Sequence, residues 1–452
     1  MNCYLLFIIL IFFTFVYLYI AKKTLSDAKN NDDYFLSKKN LGVFSLSMTL
    51  LATQLGGGSL VGAANEAFFK GWIVIFYPMG ISLGLILLSL GIGKKLRSFN
   101  VKTIAELFEV IYGSKNLRKI ASILSVITLF FILIGQGIAA RKFFYSLGID
   151  NSYIFLGFWL IVIIYTVMGG LKAVVQTDII QMLFTLSIFI LVFFFSKTYI
   201  NTNLDPTIPI SYSSFNISWV ACLLMPLLFM VIEQDMGQRC FAAKSSKAFA
   251  VSGIIAAILL MLSCSFAIYL GVLGKKLNLN ISINDDVLLT VIKIVTTPTI
   301  SSLFASAFLM VVLSTADSLL CSISSNLSYD FEKIRNNNNI FLSRSLTFAV
   351  GILAMSFSYY FDNIVSIFIQ AYEFSVSVFF VPIIFGILSK KKLFFNAAIY
   401  SMIVGAVGFC LFRIYSPPIA KEVITLLFSC LTFMTIQYFE NRKYQVKIIQ
   451  KQ

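Results

Sequence analysis

The sequence predicts an all-α membrane protein of about thirteen transmembrane helices, built on a five-plus-five inverted-repeat core whose first and sixth core helices are discontinuous. Three observations lead there. The 452 residues are 59% hydrophobic and 12% charged, where a soluble domain carries about 25% charged residues. Apolar runs of about 18 residues or more, enough to span a bilayer, recur along most of the chain. Two of these runs are interrupted in their middle by residues that a continuous apolar helix avoids.

In chain order, the spans fall near residues 4–21, 42–67, 72–93, 119–146, 153–170, 173–197, 217–238, 248–273, 299–328, 342–361, 363–388, 393–413 and 419–438. The first lacks a basic flank before it and a small-residue cleavage site after it, and Lys22 and Lys23 follow directly, so it reads as a retained helix. Residues 285–297 read as a short amphipathic piece. Counting Lys and Arg in alternate gaps puts 26 of the 35 on one side and 9 on the other. A miscounted span would scramble that bias. The positive-inside rule then places the N-terminus outside and the C-terminus in the cytoplasm of a bacterial inner membrane. It also accounts for the formal charge of +15 without any nucleic-acid partner.

Composition also excludes chemistry. There is no histidine, which removes the commonest general base, zinc ligand and proton relay. The seven cysteines are scattered with no metal or disulfide spacing. The chain reads as a transporter and not as an enzyme. The tail after Tyr438 is too short for a signalling domain, and a channel is the nearest rival class.

The second span carries Ala52-Thr53-Gln54-Leu55-Gly56-Gly57-Gly58-Ser59. Each glycine costs a helix about 1 kcal/mol relative to alanine. Either the helix unwinds there and its freed carbonyls line a cavity, or the small residues serve close packing. The seventh span has Pro226 followed by Glu233, Gln234, Asp235 and Gln238. Charges inside a membrane span usually face a polar pathway, although these also lie near a basic loop at Arg239. Each interruption falls in the first helix of a group of five, the layout of an inverted repeat with a site at the midplane. The ninth span places Ser314 and Thr315 side by side. They supply hard oxygens for a cation or, equally, interhelical hydrogen bonds. Segments follow accordingly: 1–40 an extra helix and loop, 41–197 the first repeat, 198–389 the second, and 390–452 two further helices with a basic tail.

Three stretches resemble the sodium:solute symporter family. Residues Tyr165-Thr166-Val167-Met168-Gly169-Gly170-Leu171-Lys172 through Thr177-Asp178-Ile179-Ile180-Gln181 look like its signature. Gln234-Asp235-Met236-Gly237-Gln238-Arg239 is similar to its sixth core helix, and Ser314-Thr315-Ala316-Asp317-Ser318 with Tyr329-Asp330-Phe331 to its eighth. Asp33-Tyr34-Phe35-Leu36 fits its N-terminal loop.

The resemblance, over about residues 33 to 440, implies uptake driven by sodium, the coupling ion. It implies a sodium site made of the carbonyls of Ala52, Leu55 and Val311 and the hydroxyls of Ser314 and Thr315, with Asp178 on the sodium exit route. Val311 stands where many members have alanine. A solute between the breaks would meet Gln54, Gly56, Gly57 and Ser59 of the first core helix, Gln136 of the third, Glu233, Gln234 and Asp235 of the sixth, and Gln370, Tyr372 and Glu373 of the tenth. Relatives carry proline, sugars, sialic acid, pantothenate and monocarboxylates. The acidic residues point to a zwitterion or cation, and a small amino acid such as proline is the expectation. The aromatic lid of some relatives is not evident between Met230 and Gln238. The remaining expected partners are membrane lipid and no nucleic acid, with the monomer as functional unit.

Overall fold

The computed structural model describes residues 2–149, 151–203, 219–279, 286–335, 339–361, 364–415 and 421–449. The expected spans near 217 and 363, and the amphipathic piece at 285, begin just outside these residues.

The described chain is helical throughout, with a single isolated bridge between Leu41 and Ala243. Its helices, in order, are α1 (Cys3–Leu25), α2 (Asn31–Leu36), α3 (Val43–Gln54), α4 (Ala63–Lys70), α5 (Phe76–Leu87), α6 (Gly93–Ser98), α7 (Glu106–Tyr112), α8 (Lys115–Ser146), α9 (Ser152–Asn203) and α10 (Trp219–Ile232). Then follow α11 (Gln234–Ala242), α12 (Ser246–Lys276), α13 (Val287–Val295), α14 (Pro298–Asp330), α15 (Glu332–Arg335), α16 (Ile340–Phe357), α17 (Ile364–Leu388), α18 (Phe395–Ile414) and α19 (Lys421–Ile449). The amphipathic piece is α13, started by the Asp286 side chain, which accepts from the Leu289 N–H.

Among the described residues, ten helices are long and apolar enough to cross a membrane, and the bent pair α10–α11 adds an eleventh when taken as one span. This is a multi-pass membrane protein. Two of the ten are far longer than one crossing: Gly58–Ser98 has 41 residues and Ser152–Tyr199 has 48. At 1.5 Å per residue these would reach about 60 and 70 Å, against a hydrocarbon core of about 30 Å. Both turn sharply at a glycine. Gly71 has φ 72°, ψ −153° and Gly170 has φ 57°, ψ −152°, conformations that an L side chain resists. At Gly170 a Cβ would also meet the Tyr34 carbonyl at 2.4 Å.

The centre of the bundle is α14. Of its most apolar window 94% is buried, against 22% for α1. Its length is lined with Ser, Ala and other small residues, which let α1, α3, α8, α9 and α16 approach it closely. α10 packs on α5, α17 on α8, and α18 on α19. α1 rests on the bundle through ring pairs, Phe13 with Phe184 and Tyr17 with Tyr165.

At one end of the bundle an ion network ties several connections together. Arg118, almost fully buried, donates from Nε to Asp330 (2.8 Å), from Nη1 to Glu109 (2.8 Å) and Glu106 (3.2 Å), and from Nη2 to the Tyr329 carbonyl (2.9 Å). Thr103 Oγ1 also donates to Asp330 (2.7 Å). Beside it, Asp32 accepts from Lys102 (2.6 Å) and from the Tyr329 hydroxyl (2.7 Å). Burial alone would raise the Asp32 carboxyl, but these two donors hold it below its ordinary range.

Candidate functional site: two broken helices around a buried cluster of neutral oxygens

The first break lies where the glycines predict it. α3 ends at Gln54, and a wide-turned helical segment resumes at Gly58–Gly62. The Gly56 N–H, which would close the next turn on the Ala52 carbonyl, donates instead to Ser59 Oγ (2.8 Å). Ser59 Oγ in turn lies 3.0 Å from the Gln54 carbonyl and 2.9 Å from the Gly56 carbonyl. The Gly57 N–H donates to Gln136 Oε1 on α8 (3.0 Å). The break is therefore held by side chains, which meets the demand for satisfied backbone groups inside a membrane.

The Ala52 carbonyl is freed toward α14. It accepts from Ser314 Oγ (3.2 Å) and Thr315 Oγ1 (3.1 Å), and both hydroxyls also reach the Val311 carbonyl (2.9 and 3.3 Å). Four of the five expected sodium ligands thus form one buried knot. Leu55, the fifth, is the residue at which the helix breaks (φ −85°, ψ 71°). Thr315 also reaches the following residue, since a Cβ on Gly56 would lie 3.0 Å from its Oγ1. Among the described residues, no group of three His, Cys, Asp or Glu side chains is placed to hold a metal. The cluster is instead a set of neutral hard oxygens, the chemistry that suits a weakly bound alkali cation and not a transition metal.

The second break is at Glu233, whose backbone is extended (φ −72°, ψ 135°) between α10 and α11, and the pair bends by 46°. Pro226, the residue that drew attention in the sequence, sits inside a continuous α10 seven residues earlier. The turn falls instead where α11 begins, with Asp235 in its first turn accepting from the Met236 N–H (2.6 Å). A carboxylate there complements the positive helix end. The two breaks touch, because Gln54 Nε2 donates to Glu233 Oε2 (3.2 Å).

Between the breaks lies a small cavity of about 20 Å³, room for about one water molecule. Of the expected solute ligands, Gln54, Gly56, Ser59, Gln136, Glu233, Asp235 and Tyr372 line it, together with Thr315 of the cation cluster. Gly57, Gln234, Gln370 and Glu373 do not. Gly57 is pressed against Ala139, which a Cβ would approach to 2.5 Å. Gln234 Oε1 accepts from the Ile104 N–H (2.7 Å), on the far side of α11 from the cavity. Glu373 faces α19, 3.8 Å from Lys421. Gln370, on the same helix, stands off the lining as well. Residues adjacent on a helix point about 100° apart, so Glu233 and Tyr372 enter the cavity while Gln234 and Glu373 turn away.

Three rings enclose the cavity, Tyr77 of α5 and Phe368 and Tyr372 of α17; Tyr372 was expected, and sequence reasoning missed Tyr77 and Phe368. Tyr77 and Tyr372 stack at 6.4 Å with planes 13° apart, and Phe229 lies 4.3 Å from Tyr372. An aromatic lid is present, drawn from α5 and α17 and not from the stretch after Met230. Tyr77 stands one residue before Pro78 in an apolar run and carries no local signal.

Below the cation cluster, Asp178 Oδ2 accepts from Thr49 Oγ1 (2.6 Å), which in turn accepts from Arg239 Nε (3.0 Å). Arg239 also donates to Ser318 Oγ (2.5 Å) and to the Asp235 carbonyl (3.1 Å). Asp317, one turn along α14 from the cluster, accepts from Tyr165 (2.5 Å). The hydrogen-bond partner of Asp178 is therefore inside the bundle. A buried polar column links the cation cluster to the end of the bundle where α2 and α7 lie.

Comparisons agree with this geometry. The sodium:solute symporter family model matches residues 34–405. The sodium/pantothenate symporter of Haemophilus influenzae is 28% identical over 350 residues, covering 72% of this chain and 71% of that protein. The sodium/proline symporter of the same organism is 24% identical over 416 residues, covering 84% and 82%. The structure of a substrate-bound, outward-open Na+-coupled sialic acid symporter superposes with a TM-score of 0.77 at 18% identity, covering 96% of each chain, and establishes a shared fold. A broken helix that offers its freed carbonyl to two hydroxyls, within a fold shared along nearly the whole chain, leaves one conclusion: this chain belongs to the sodium:solute symporter family, whose members are transporters.

Proposed function

We propose that the protein couples inward sodium flow to uptake of a small organic solute by alternating access, with sodium held by the carbonyls of Ala52, Leu55 and Val311 and the hydroxyls of Ser314 and Thr315. The observation that carries this is the Ala52 carbonyl, released from its own helix and met by both α14 hydroxyls. Sodium there takes the place of these hydroxyl–carbonyl hydrogen bonds and pins α3 to α14. The solute sits between the breaks beside Thr315, in a space that must widen from its present one-water volume as the bundle opens. Each ligand then favours the conformation that the other requires, and the coupling is reciprocal. An inside-negative potential contributes about 2.3 kcal/mol per charge at 100 mV. Asp178 and the polar column toward Arg239 form the exit route for sodium.

The architecture we infer has thirteen spans. Dividing the two overlong helices at Gly71 and Gly170, and joining each broken helix across its break, gives that number. Residues 41–197 and 198–389 are then the two five-helix repeats, each opening with a broken helix, preceded by 1–40 and followed by 390–452. The loops assigned to the cytoplasm touch one another, which supports the inferred orientation. Lys102 pairs with Asp32, Lys172 with Asp27, and Arg344 reaches the Leu25 carbonyl. Loops assigned outside meet likewise, as Lys293 does with the Ser146 carbonyl. The N-terminus is then outside and the tail inside a bacterial inner membrane, with the monomer as the working unit.

The test is uptake into proteoliposomes from a panel of labelled solutes, with and without an inward sodium gradient. Saturable, sodium-dependent accumulation supports the reading. Sodium current without any solute flux would mark a channel and end it.

A further inference from the structure

The chemistry of the cavity narrows the solute class, and this step rests on the symporter reading above. The polar groups lining the cavity are the carboxylates of Glu233 and Asp235, the amides of Gln54 and Gln136, and the hydroxyls of Thr53, Ser59, Thr315, Tyr77 and Tyr372. No lysine or arginine is among them. Asp235 is fully buried, and its Oδ2 has no hydrogen-bond donor. Glu233 lines the same cavity, so two carboxyl groups face one small space.

At the first break, the two glycine N–H groups and the Gln54 amide that an anionic group would seek are already committed. The Gly56 N–H is held by Ser59 Oγ, the Gly57 N–H by Gln136 Oε1, and Gln54 Nε2 by Glu233. Aromatic faces complete the enclosure, with Tyr77 stacked on Tyr372 and Phe368 against the glycines. Ring faces attract cations. The wider surroundings do not cancel this bias. Four buried carboxylates, Asp178, Glu233, Asp235 and Asp317, share one buried guanidinium, Arg239. That guanidinium donates to Thr49, to Ser318 and to the backbone carbonyl of Asp235, and is not itself part of the lining.

We infer that the solute is a small organic cation bearing a protonated amine, whose ammonium group lies between Glu233 and Asp235 beneath the Tyr77, Phe368 and Tyr372 rings. The ammonium hydrogens satisfy Asp235 Oδ2 and the Glu233 carboxylate, and the rings cover the carbon chain. A carboxylate on the same molecule finds no cationic side chain in the lining. This sharpens the amino-acid expectation by keeping the amine and dropping the acid.

The experiment uses the full-length protein in proteoliposomes with an inward sodium gradient. The labelled probes are ethanolamine, putrescine and agmatine as cations, proline and β-alanine as zwitterions, pantothenate and pyruvate as anions, and glucose. The inference predicts sodium-driven accumulation of at least one cation and of none of the others. It further predicts that Glu233→Gln weakens its apparent affinity at least tenfold. Binding of ²²Na⁺, read on the same variant, reports that it is folded. Accumulation of a zwitterion, an anion or glucose overturns the inference while leaving sodium symport standing. So does failure of all three cations, or a Glu233→Gln variant with unchanged affinity for the cation. Loss of saturable ²²Na⁺ binding in the unsubstituted protein instead overturns the symporter site itself.

Discussion

Two polar regions of this molecule handle charge in opposite ways. At one end of the bundle, Arg118 of α8 collects Glu106 and Glu109 of α7 and Asp330 of α14, and each of its donor groups has an acceptor. In the membrane core, Asp178, Glu233, Asp235 and Asp317 have neutral donors and the single cation Arg239 near them, and Asp178, Asp235 and Asp317 each keep one oxygen with no donor, as Asp330 does in the first region. Carboxylates buried in a bilayer without partners are costly. The first region is built to hold helices in one arrangement. The second is left short of positive charge, which suits the sodium site and the cationic solute proposed for it.

The largest expected effect belongs to the core. Replacing Ser314 and Thr315 together by alanine removes both hydroxyls that face the Ala52 carbonyl, and sodium-driven uptake falls by at least two orders of magnitude while the protein still folds. Uptake at saturating solute, titrated against sodium, checks this. Retention of the native sodium dependence would break the contrast between a binding region and a locking one.

Next comes the lock. Arg118→Ala leaves three carboxylates without their shared cation. Removing one partner of a buried pair costs about 3–5 kcal/mol, and the partial exposure of Glu106 and Glu109 puts this case near the lower bound. Thermal unfolding in detergent measures it, with sodium affinity of the folded fraction unchanged.

A smaller change tests the break. Gly57→Ala pushes a methyl to 2.5 Å from Ala139 Cβ, an overpacking of about 1–3 kcal/mol. It separates the break from Gln136 and lowers solute affinity more than sodium affinity.

The smallest effect is Asp32→Asn. The carboxylate is half exposed, so its bonds to Lys102 and Tyr329 contribute less than about 1 kcal/mol. Its pKa is lowered in the folded state. The contribution is therefore complete at neutral pH and disappears as pH falls below the ordinary carboxylate range. Wild type and variant then melt together in acid.

The spans, the first break and the Ser314–Thr315 pair were legible in the sequence because each has a local cause: apolar length, a run of glycines, adjacent hydroxyls. The second break was placed in the right span, but it lies at Glu233 and not at Pro226. A proline inside a helix marks a lost hydrogen bond without fixing where neighbouring helices force a turn. Gln234 and Glu373 could not be told from Glu233 and Tyr372, because a rotation of 100° per residue is set by packing. Tyr77 and Phe368 were invisible for the related reason that a chamber wall is assembled from α5 and α17, more than 280 residues apart. The direction of Arg239 decides which carboxylates stay unpaired, and that too is a tertiary fact.

The central claim is that the unwound first core helix gives the Ala52 carbonyl to Ser314 and Thr315 as a sodium site. Equilibrium binding of ²²Na⁺ to the purified protein tests it directly and needs no solute. Saturable binding, weakened at least tenfold in Thr315→Ala and abolished in the double Ser314→Ala, Thr315→Ala variant, is the predicted result. Equal binding in all three proteins would contradict it.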